Sequence, residues 1–189
     1  FSQASKGEFE QADVPDEWKE SFLDLEKEGL LLKFGHWTVP SNPKVILIDF
    51  SKWIDRGDQI KKELWENFKI DSFGSPFDYT EPLVWSFAVG KAIEKLLPNF
   101  SGKKVAAQFH EWLSGAGLLY LKSLALPIGT VFTTHATILG RTLTSNDVPL
   151  DSFLGKINSQ EEAYKYGIQA KHQIEYACAQ KTDVFTTVS

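Results

Sequence analysis

Apolar and polar residues alternate along the second half of the chain in a way that predicts strands separated by helices. One apolar run ends in Phe109-His110 and another in Thr133-Thr134. Between them lies a longer apolar stretch with Ser114-Gly115-Ala116-Gly117 near its start. A strand, a helix and a second strand in this order form a βαβ unit, whose two strands run parallel.

Earlier segments predict a direct strand-turn-strand connection. Residues 30–37 and 44–50 have the composition of strands, and Pro40-Ser41-Asn42-Pro43 between them has that of a turn. A connection of this length joins only antiparallel strands. We therefore expect a hairpin that either sits at one edge of the main sheet or forms an excursion from it.

Several helices and one more strand complete the pattern. Residues 159–180 predict a single helix with Ser159 and Glu162 as a capping box, and residues 142–158 predict a loop or short irregular helices. The other predicted elements share a clear period or a β-rich composition, and they are helices at 57–68 and 81–97 and a strand at 183–189.

These elements predict one α/β domain with a mostly parallel sheet, flanking helices and an antiparallel hairpin. Residues 1–14 are polar and without period, and we expect an irregular lead-in there. Residues 15–189 are then one incomplete domain.

Composition excludes some partners. The net charge is −5 and no basic block occurs, which argues against nucleic acid and anionic membranes as partners. No apolar run is long enough to span a bilayer. Cys178 is the only cysteine, so the chain cannot form an internal disulfide, and a reducing cytoplasm is the expected compartment. We expect Cys178 to be a small buried side chain on a helix.

The candidate chemistry lies at the ends of the two parallel strands, where ligands bind in open α/β sheets. His110 and His135 are expected there. Glu111 follows His110 directly, and because successive residues leaving a strand point to opposite sides, we expect it to be structural, for example as a cap of the following helix. His36, at the end of a hairpin strand, is also expected to be structural.

Other site types do not fit the spacing. His110-Glu111 lacks a histidine four residues on, and no group has zinc-ligand spacing. The segment around Ser114 is not a Gly-x-Ser-x-Gly nucleophile elbow. The run Ser114-Gly115-Ala116-Gly117 departs from phosphate-binding glycine loops, so it predicts close helix-to-sheet packing instead.

The motifs FHEW at 109–112, TTHATILGR at 133–141 and VFTTVS at 184–189, in this order, resemble the glycogen synthases of animals and fungi. Residues 34–37 (FGHW) and 62–65 (KELW) are similar to further parts of that family. The resemblance runs from residue 34 to 189 and is weaker over 74–102.

The resemblance implies a GT-B architecture, in which two Rossmann-like domains enclose the active site. This chain would be most of the amino-terminal domain, with a donor-phosphate loop before it and a carboxyl-terminal donor-binding domain after it. The implied reaction transfers glucose from UDP-glucose to the non-reducing end of an α-1,4-glucan with retention, without metal or other cofactor. The alternatives are a related transferase that uses ADP-glucose and a non-catalytic glucan-binding module, and a homo-oligomer of the full-length protein is left open. The chain alone is expected to be inactive.

The resemblance also implies site residues. His110 should face the donor glucose as the catalytic residue, and Thr134, His135 and Arg141 should bind substrate at the mouth of the cleft. For Arg141 a phosphate, a glucan hydroxyl and an internal salt bridge remain alternatives. The sequence departs from the family at Gln108, where a second histidine is usual.

Two further departures lie on helices. An Asn-Asp pair of the family is replaced by residues 80–81, and a basic residue is replaced by Tyr176, beside the retained Glu175.

Overall fold

The computed structural model describes residues 8–153 and 155–188, and the fold is α/β with two three-stranded sheets. The first sheet is antiparallel, in the order β1-β2-β3, and the second is parallel, in the order β4-β5-β6. The strands are β1 Phe9–Gln11, β2 Leu31–Trp37, β3 Lys44–Asp49, β4 Ala106–His110, β5 Gly129–Thr134 and β6 Val184–Thr187. The predicted fold class, with a parallel sheet, flanking helices and an antiparallel hairpin, is confirmed.

Eight α-helices lie within the described residues: α1 Lys19–Lys27, α2 Gly57–Phe68, α3 Phe77–Leu96, α4 Glu111–Ser123, α5 Ile138–Ser145, α6 Leu150–Phe153, α7 Ser159–Lys165 and α8 Gln169–Lys181. Short 3-10 helices occur at Asp16–Trp18, Ser51–Arg56 and Leu97–Phe100. The predicted helix at 57–68 is confirmed at both ends. In the described part of the segment 142–158, the end of α5 and the short helix α6 alternate with turns, in agreement with the prediction of a loop or short irregular helices.

The antiparallel sheet contains a strand that the sequence did not predict. Part of the expected irregular lead-in forms β1, which pairs with the far end of β2, from Phe9 opposite Trp37 to Gln11 opposite Gly35. A Cβ at Gly35 would lie only 2.1 Å from the carbonyl oxygen of Glu10. Backbone contact therefore defines this edge strand, and three residues are too few to show a period. Residues 1–7 lie outside the described part of the chain. The hairpin thus belongs to a sheet of its own rather than to an edge of the parallel one.

The first turn of α3 also differs from the prediction. We expected a helix from Glu81, but α3 begins at Phe77, and Pro82 lies inside it. Tyr79 is 1% exposed and its ring stacks on that of Trp112 with centroids 5.8 Å apart. Burial of Tyr79 and its stacking on the partly buried Trp112 stabilise a turn that Pro82 alone would disfavour.

Two helices, α3 and α4, touch through their backbones. A Cβ on Gly117 would lie 2.5 Å from the carbonyl oxygen of Ser86, and one on Gly90 would lie 2.8 Å from that of Gly117. The Ser86 hydroxyl accepts a hydrogen bond from the buried Gly117 N–H at 2.7 Å. Glycine is therefore required on both helices, because any side chain would separate them.

The same glycine run packs α4 against α8. A Cβ on Gly115 would lie 2.4 Å from Cγ2 of Ile174 and 2.9 Å from Sγ of Cys178. Cys178 is fully buried, as predicted, and burial raises its pKa. We expected these small residues to bring the helix close to the sheet. They serve mainly helix-helix packing, although Phe109 of β4 also lies beside Gly117.

The predicted helix at 159–180 is two helices. Gly167, with φ of 67°, ends α7 and separates it from α8. The predicted capping box is wrong by one residue, because Asn158 is the N-cap and its side-chain oxygen accepts from the N–H groups of Gln160 and Glu161. Asparagine is as good an N-cap as serine, so the sequence alone did not separate the two.

The amino-terminal edge of the parallel sheet is held by one carboxylate. Asp183, just before β6, accepts hydrogen bonds from the N–H and hydroxyl of Thr130 on β5, both at 2.8 Å, and from Nζ of Lys122 on α4 at 2.9 Å. The bond from Lys122 has the largest effect, and together these bonds lower the pKa of Asp183 to about 2. The helix α4 and the strands β5 and β6 are thereby joined at the edge opposite the two histidines.

Gly117→Ala should destabilise the chain by about 1–3 kcal/mol, because its methyl group would overlap backbone of α3. Gly129→Ala is the matched control, since a Cβ there meets nothing nearer than 3.7 Å. Urea denaturation followed by tryptophan fluorescence measures both. Equal midpoints for the two variants would contradict the close helix contact.

Candidate active site

Parallel pairing of β4 with β5 brings two imidazoles together at the carboxyl edge of the sheet. His110 ends β4 opposite Thr133, and His135 is the first residue beyond β5. Nδ1 of His110 lies 3.0 Å from Nε2 of His135, and the rings are stacked with centroids 5.3 Å apart. Both residues are exposed. An exposed, hydrogen-bonded pair at this edge is suited to contact a ligand.

Glu111 does not cap the helix it begins. Its Oε1 accepts a hydrogen bond from the N–H of His135 at 2.6 Å and lies 3.4 Å from the N–H of Ala136. Glu111 itself has φ of 60°, in the left-handed region that non-glycine residues rarely occupy. The role is structural, as expected, but the carboxylate holds the segment after β5 instead of capping α4.

A second carboxylate holds the start of α5. Oε2 of Glu175, on α8, accepts a hydrogen bond from the N–H of Ile138 at 2.9 Å. Glu175 is 5% exposed, and its Oε1 is buried with no hydrogen-bond partner among the described residues. Burial, together with the nearby Glu111, raises the pKa of Glu175 to about 7, against the opposing effects of the Ile138 N–H and of Arg141. The carboxyl group of Glu175 is therefore protonated mainly below about pH 7.

The other two predicted substrate-binding residues differ in their exposure. Thr134 is 4% exposed, and its hydroxyl is buried without a partner in the described structure. Burial argues against direct contact of Thr134 with a substrate. Arg141 is exposed on α5, and its Nε donates to the carbonyl oxygen of Ala136 at 3.3 Å. Within residues 8–153 and 155–188 no carboxylate lies within salt-bridge distance of Arg141, so its interaction inside the chain is with backbone.

Gln108 shares the sheet face of His110, two residues earlier on β4. Its Nε2 donates to the hydroxyl of Thr133 at 2.9 Å, and that hydroxyl also lies 2.8 Å from that of Thr186. A row of polar side chains therefore crosses the sheet just below His110. The glutamine that departs from the expected histidine is part of this row.

The remaining histidines lie away from this edge. His36 is on β2, with Nδ1 3.1 Å from the carbonyl oxygen of Asn42, which agrees with a structural role. His172 is buried on α8, and burial lowers its pKa. Across the described ranges, no three His, Cys, Asp or Glu side chains converge to hold a metal ion. No helix in the same part of the chain is long and apolar enough to cross a membrane.

Comparison with known proteins gives a consistent result. The family model described as "Glycogen synthase" matches residues 1–189. The chain belongs to the glycogen synthase family. It is 33% identical to the liver glycogen [starch] synthase of Homo sapiens over 195 residues, which cover 100% of this chain and 27% of that protein.

Fungal relatives are similarly close. Identity is 33% with the glycogen [starch] synthase of Neurospora crassa and 32% with isoform 2 of Saccharomyces cerevisiae, over 92% and 87% of this chain. The alignments cover 24% of each fungal protein. The chain thus spans about a quarter of the length of these glycogen synthases.

Sequence reasoning missed the role of Glu175 at this site. The available signal was its retention beside the changed Tyr176, but nothing in the helical pattern shows that its carboxylate meets α5. The connection depends on how α8 packs, which the sequence pattern leaves open.

Glu111→Ala should lower the free energy of unfolding by about 1.5–3 kcal/mol, because the N–H of His135 loses a charged acceptor. Glu111→Gln keeps an oxygen acceptor and should lose less. Urea denaturation gives the stability, and amide hydrogen exchange at His135 reports the bond directly. An unchanged exchange rate of the His135 amide in Glu111→Ala would contradict this hydrogen bond.

The raised pKa of Glu175 makes stability depend on pH. The unfolded chain loses this proton near the ordinary pKa of 4.5, whereas the folded chain keeps it to about 7. Between these values the folded state binds more protons, so stability falls as pH rises and levels off above about 7. The loss attributable to Glu175 reaches about 3 kcal/mol.

Glu175→Gln cannot titrate and keeps an oxygen for the Ile138 N–H. The stability of this variant relative to the parent should therefore increase from pH 4.5 to 7.5, measured by urea denaturation at each pH. A difference that stays constant over this range would contradict the raised pKa.

Proposed function

We propose that the full-length protein is a glycogen synthase that transfers glucose from UDP-glucose to the 4-OH at the non-reducing end of an α-1,4-glucan, with retention. The observation that carries the proposal is the exposed imidazole of His110 at the carboxyl end of β4, within a chain that belongs to this family over its whole length. The acceptor is an α-1,4-glucan and the donor a nucleotide sugar. No metal or other cofactor is proposed.

His110 is proposed to contact the donor glucose. Its Nδ1 is engaged by His135, and its Nε2 has no hydrogen-bond partner among the described residues. A neutral imidazole offers a sugar hydroxyl a hydrogen bond without opposing the positive charge that develops at C1 during transfer. An ammonium or guanidinium group in the same place would raise the energy of that charge.

The donor is proposed to be UDP-glucose, with ADP-glucose as the competing possibility. The relatives' printed names support a glucan-building activity but name no nucleotide. Isothermal titration of the full-length protein with each nucleotide sugar separates the two. Tighter binding of ADP-glucose would overturn the choice of donor while leaving glucosyl transfer in place.

The cytoplasm is the proposed compartment. The single cysteine, Cys178, excludes an internal disulfide in this sequence and is fully buried. Immunofluorescence of the full-length protein tests this proposal.

His110→Ala in the full-length protein should lower kcat by about 10²–10³-fold, since a hydrogen bond made at the transition state is lost. The side chain is exposed, so the fold should remain intact. Turnover is measured by incorporation of labelled glucose into glycogen, and circular dichroism reports the fold. Unaltered turnover would remove His110 from the mechanism, and a parent protein that binds glucan without transferring glucose would favour a non-catalytic module.

The 189-residue chain on its own should not transfer glucose, because the proposed active site needs a second domain to enclose the donor. The same incorporation assay, applied to the purified chain, tests this. Measurable transfer by the chain alone would contradict a two-domain site.

A further inference from the structure

His135 was expected to bind substrate, yet its polar groups are engaged with the neighbouring strand end. Its Nε2 lies 3.0 Å from Nδ1 of His110, and its backbone N–H donates to Glu111 at 2.6 Å. Two adjacent residues, His110 and Glu111, therefore hold one residue through its ring and its backbone. This leaves Nδ1 as the ring nitrogen of His135 without a partner among the described residues.

We infer that His135 is a positioning residue, whose imidazole hydrogen-bonds Nδ1 of His110 and so fixes the orientation of the ring that faces the donor sugar. The inference rests on the proposed function. It reassigns His135 from direct substrate contact to action through His110.

The hydrogen bond links the tautomers of the two rings, that is, which nitrogen of each ring carries the hydrogen. One nitrogen of the pair must carry the shared hydrogen and the other must accept it. When His135 Nε2 carries it, neutral His110 is protonated on Nε2 and donates to the sugar. When His110 Nδ1 carries it, His110 Nε2 can only accept. In both cases the bond occupies Nδ1 of His110 and leaves Nε2 for the sugar. Without His135 the exposed ring has no other partner at Nδ1 among the described residues, so its orientation is no longer held.

The backbone around the pair makes this partner rigid. The carboxylate of Glu111, a residue with a left-handed backbone, accepts a hydrogen bond from the N–H of His135. The carboxylate of Glu175 accepts one from the N–H of Ile138, three residues after His135. The segment that carries His135 is thus held at both ends by carboxylates. An imidazole on a fixed backbone, as at His135, restricts the position of its partner, His110, more than one on a mobile loop would. This matters because displacement of a reacting group by about 1 Å costs about 10²-fold in rate.

The test uses the full-length enzyme with four single variants. His135→Gln places a carboxamide nitrogen and oxygen near the position of Nε2, whereas His135→Asn is one methylene shorter and does not reach His110. His135→Ala removes the group. His36→Ala, on the distant hairpin, is the matched histidine control.

We expect His135→Ala and His135→Asn to lower kcat by about 10–10²-fold, with KM for UDP-glucose and for glucan nearly unchanged. His135→Gln should restore most of the turnover, and His36→Ala should behave as the parent. In a His110→Ala background, adding His135→Ala should cause no further loss, because His135 would act only through His110.

With an active parent enzyme, three results would overturn the inference. A raised KM with unchanged kcat would show that His135 contacts substrate directly. Equal turnover in the Gln and Asn variants, or an additive loss in the double variant, would show that it does not act through His110. If His135→Ala does not fold, the comparison of Gln with Asn decides. Lack of transfer by the parent enzyme would overturn the proposed function and this inference together, and the parent alone reveals it.

Discussion

Parallel pairing of β4 with β5 is the interaction on which the candidate site depends. It sets His110 opposite Thr133, so that the residue two positions further, His135, reaches the same edge. The pairing requires the connecting helix α4 to return closely over the sheet, and α4 does so through glycines that let it touch α3 and α8. The register of these two strands therefore brings the two imidazoles within hydrogen-bonding distance, while the glycines of α4 let the connecting helix pack closely on its neighbours.

The alternation of elements in the second half of the chain was predictable because each element is long enough to show its period. The βαβ unit is the example in that half, and the helix at 57–68 shows the same in the first half. The strand β1 was not predictable, since three residues carry no period and its pairing depends on close approach to Gly35. The break at Gly167 inside the expected terminal helix shows a second limit. Apolar spacing continued across it, and only the left-handed backbone separates α7 from α8.

At the site, the sequence predicted that both histidines lie at one edge of the sheet, but it did not predict how they interact. The rule that ligands bind at strand ends and the family resemblance each suggest a role for single residues, but neither describes contacts between those residues. Three contacts at the site join elements far apart in sequence: the hydrogen bond between the two histidine rings, the bond from the N–H of His135 to Glu111, and the bond from α5 to Glu175. Thr134 illustrates the converse case, because its place in the TTHATILGR motif gave no sign that its hydroxyl would be buried.

The left-handed backbone of Glu111 restricts which residues can occupy that position. Glycine would adopt this conformation at no cost, but it would offer no acceptor to the amide of His135. Asparagine and aspartate tolerate the conformation better than glutamate, yet their side chains are one methylene shorter. The position therefore demands a long acidic or amide side chain on an unfavourable backbone. Such a combination leaves few neutral substitutions open, and we expect sequence drift to be slow at this one position of the strand-to-helix junction.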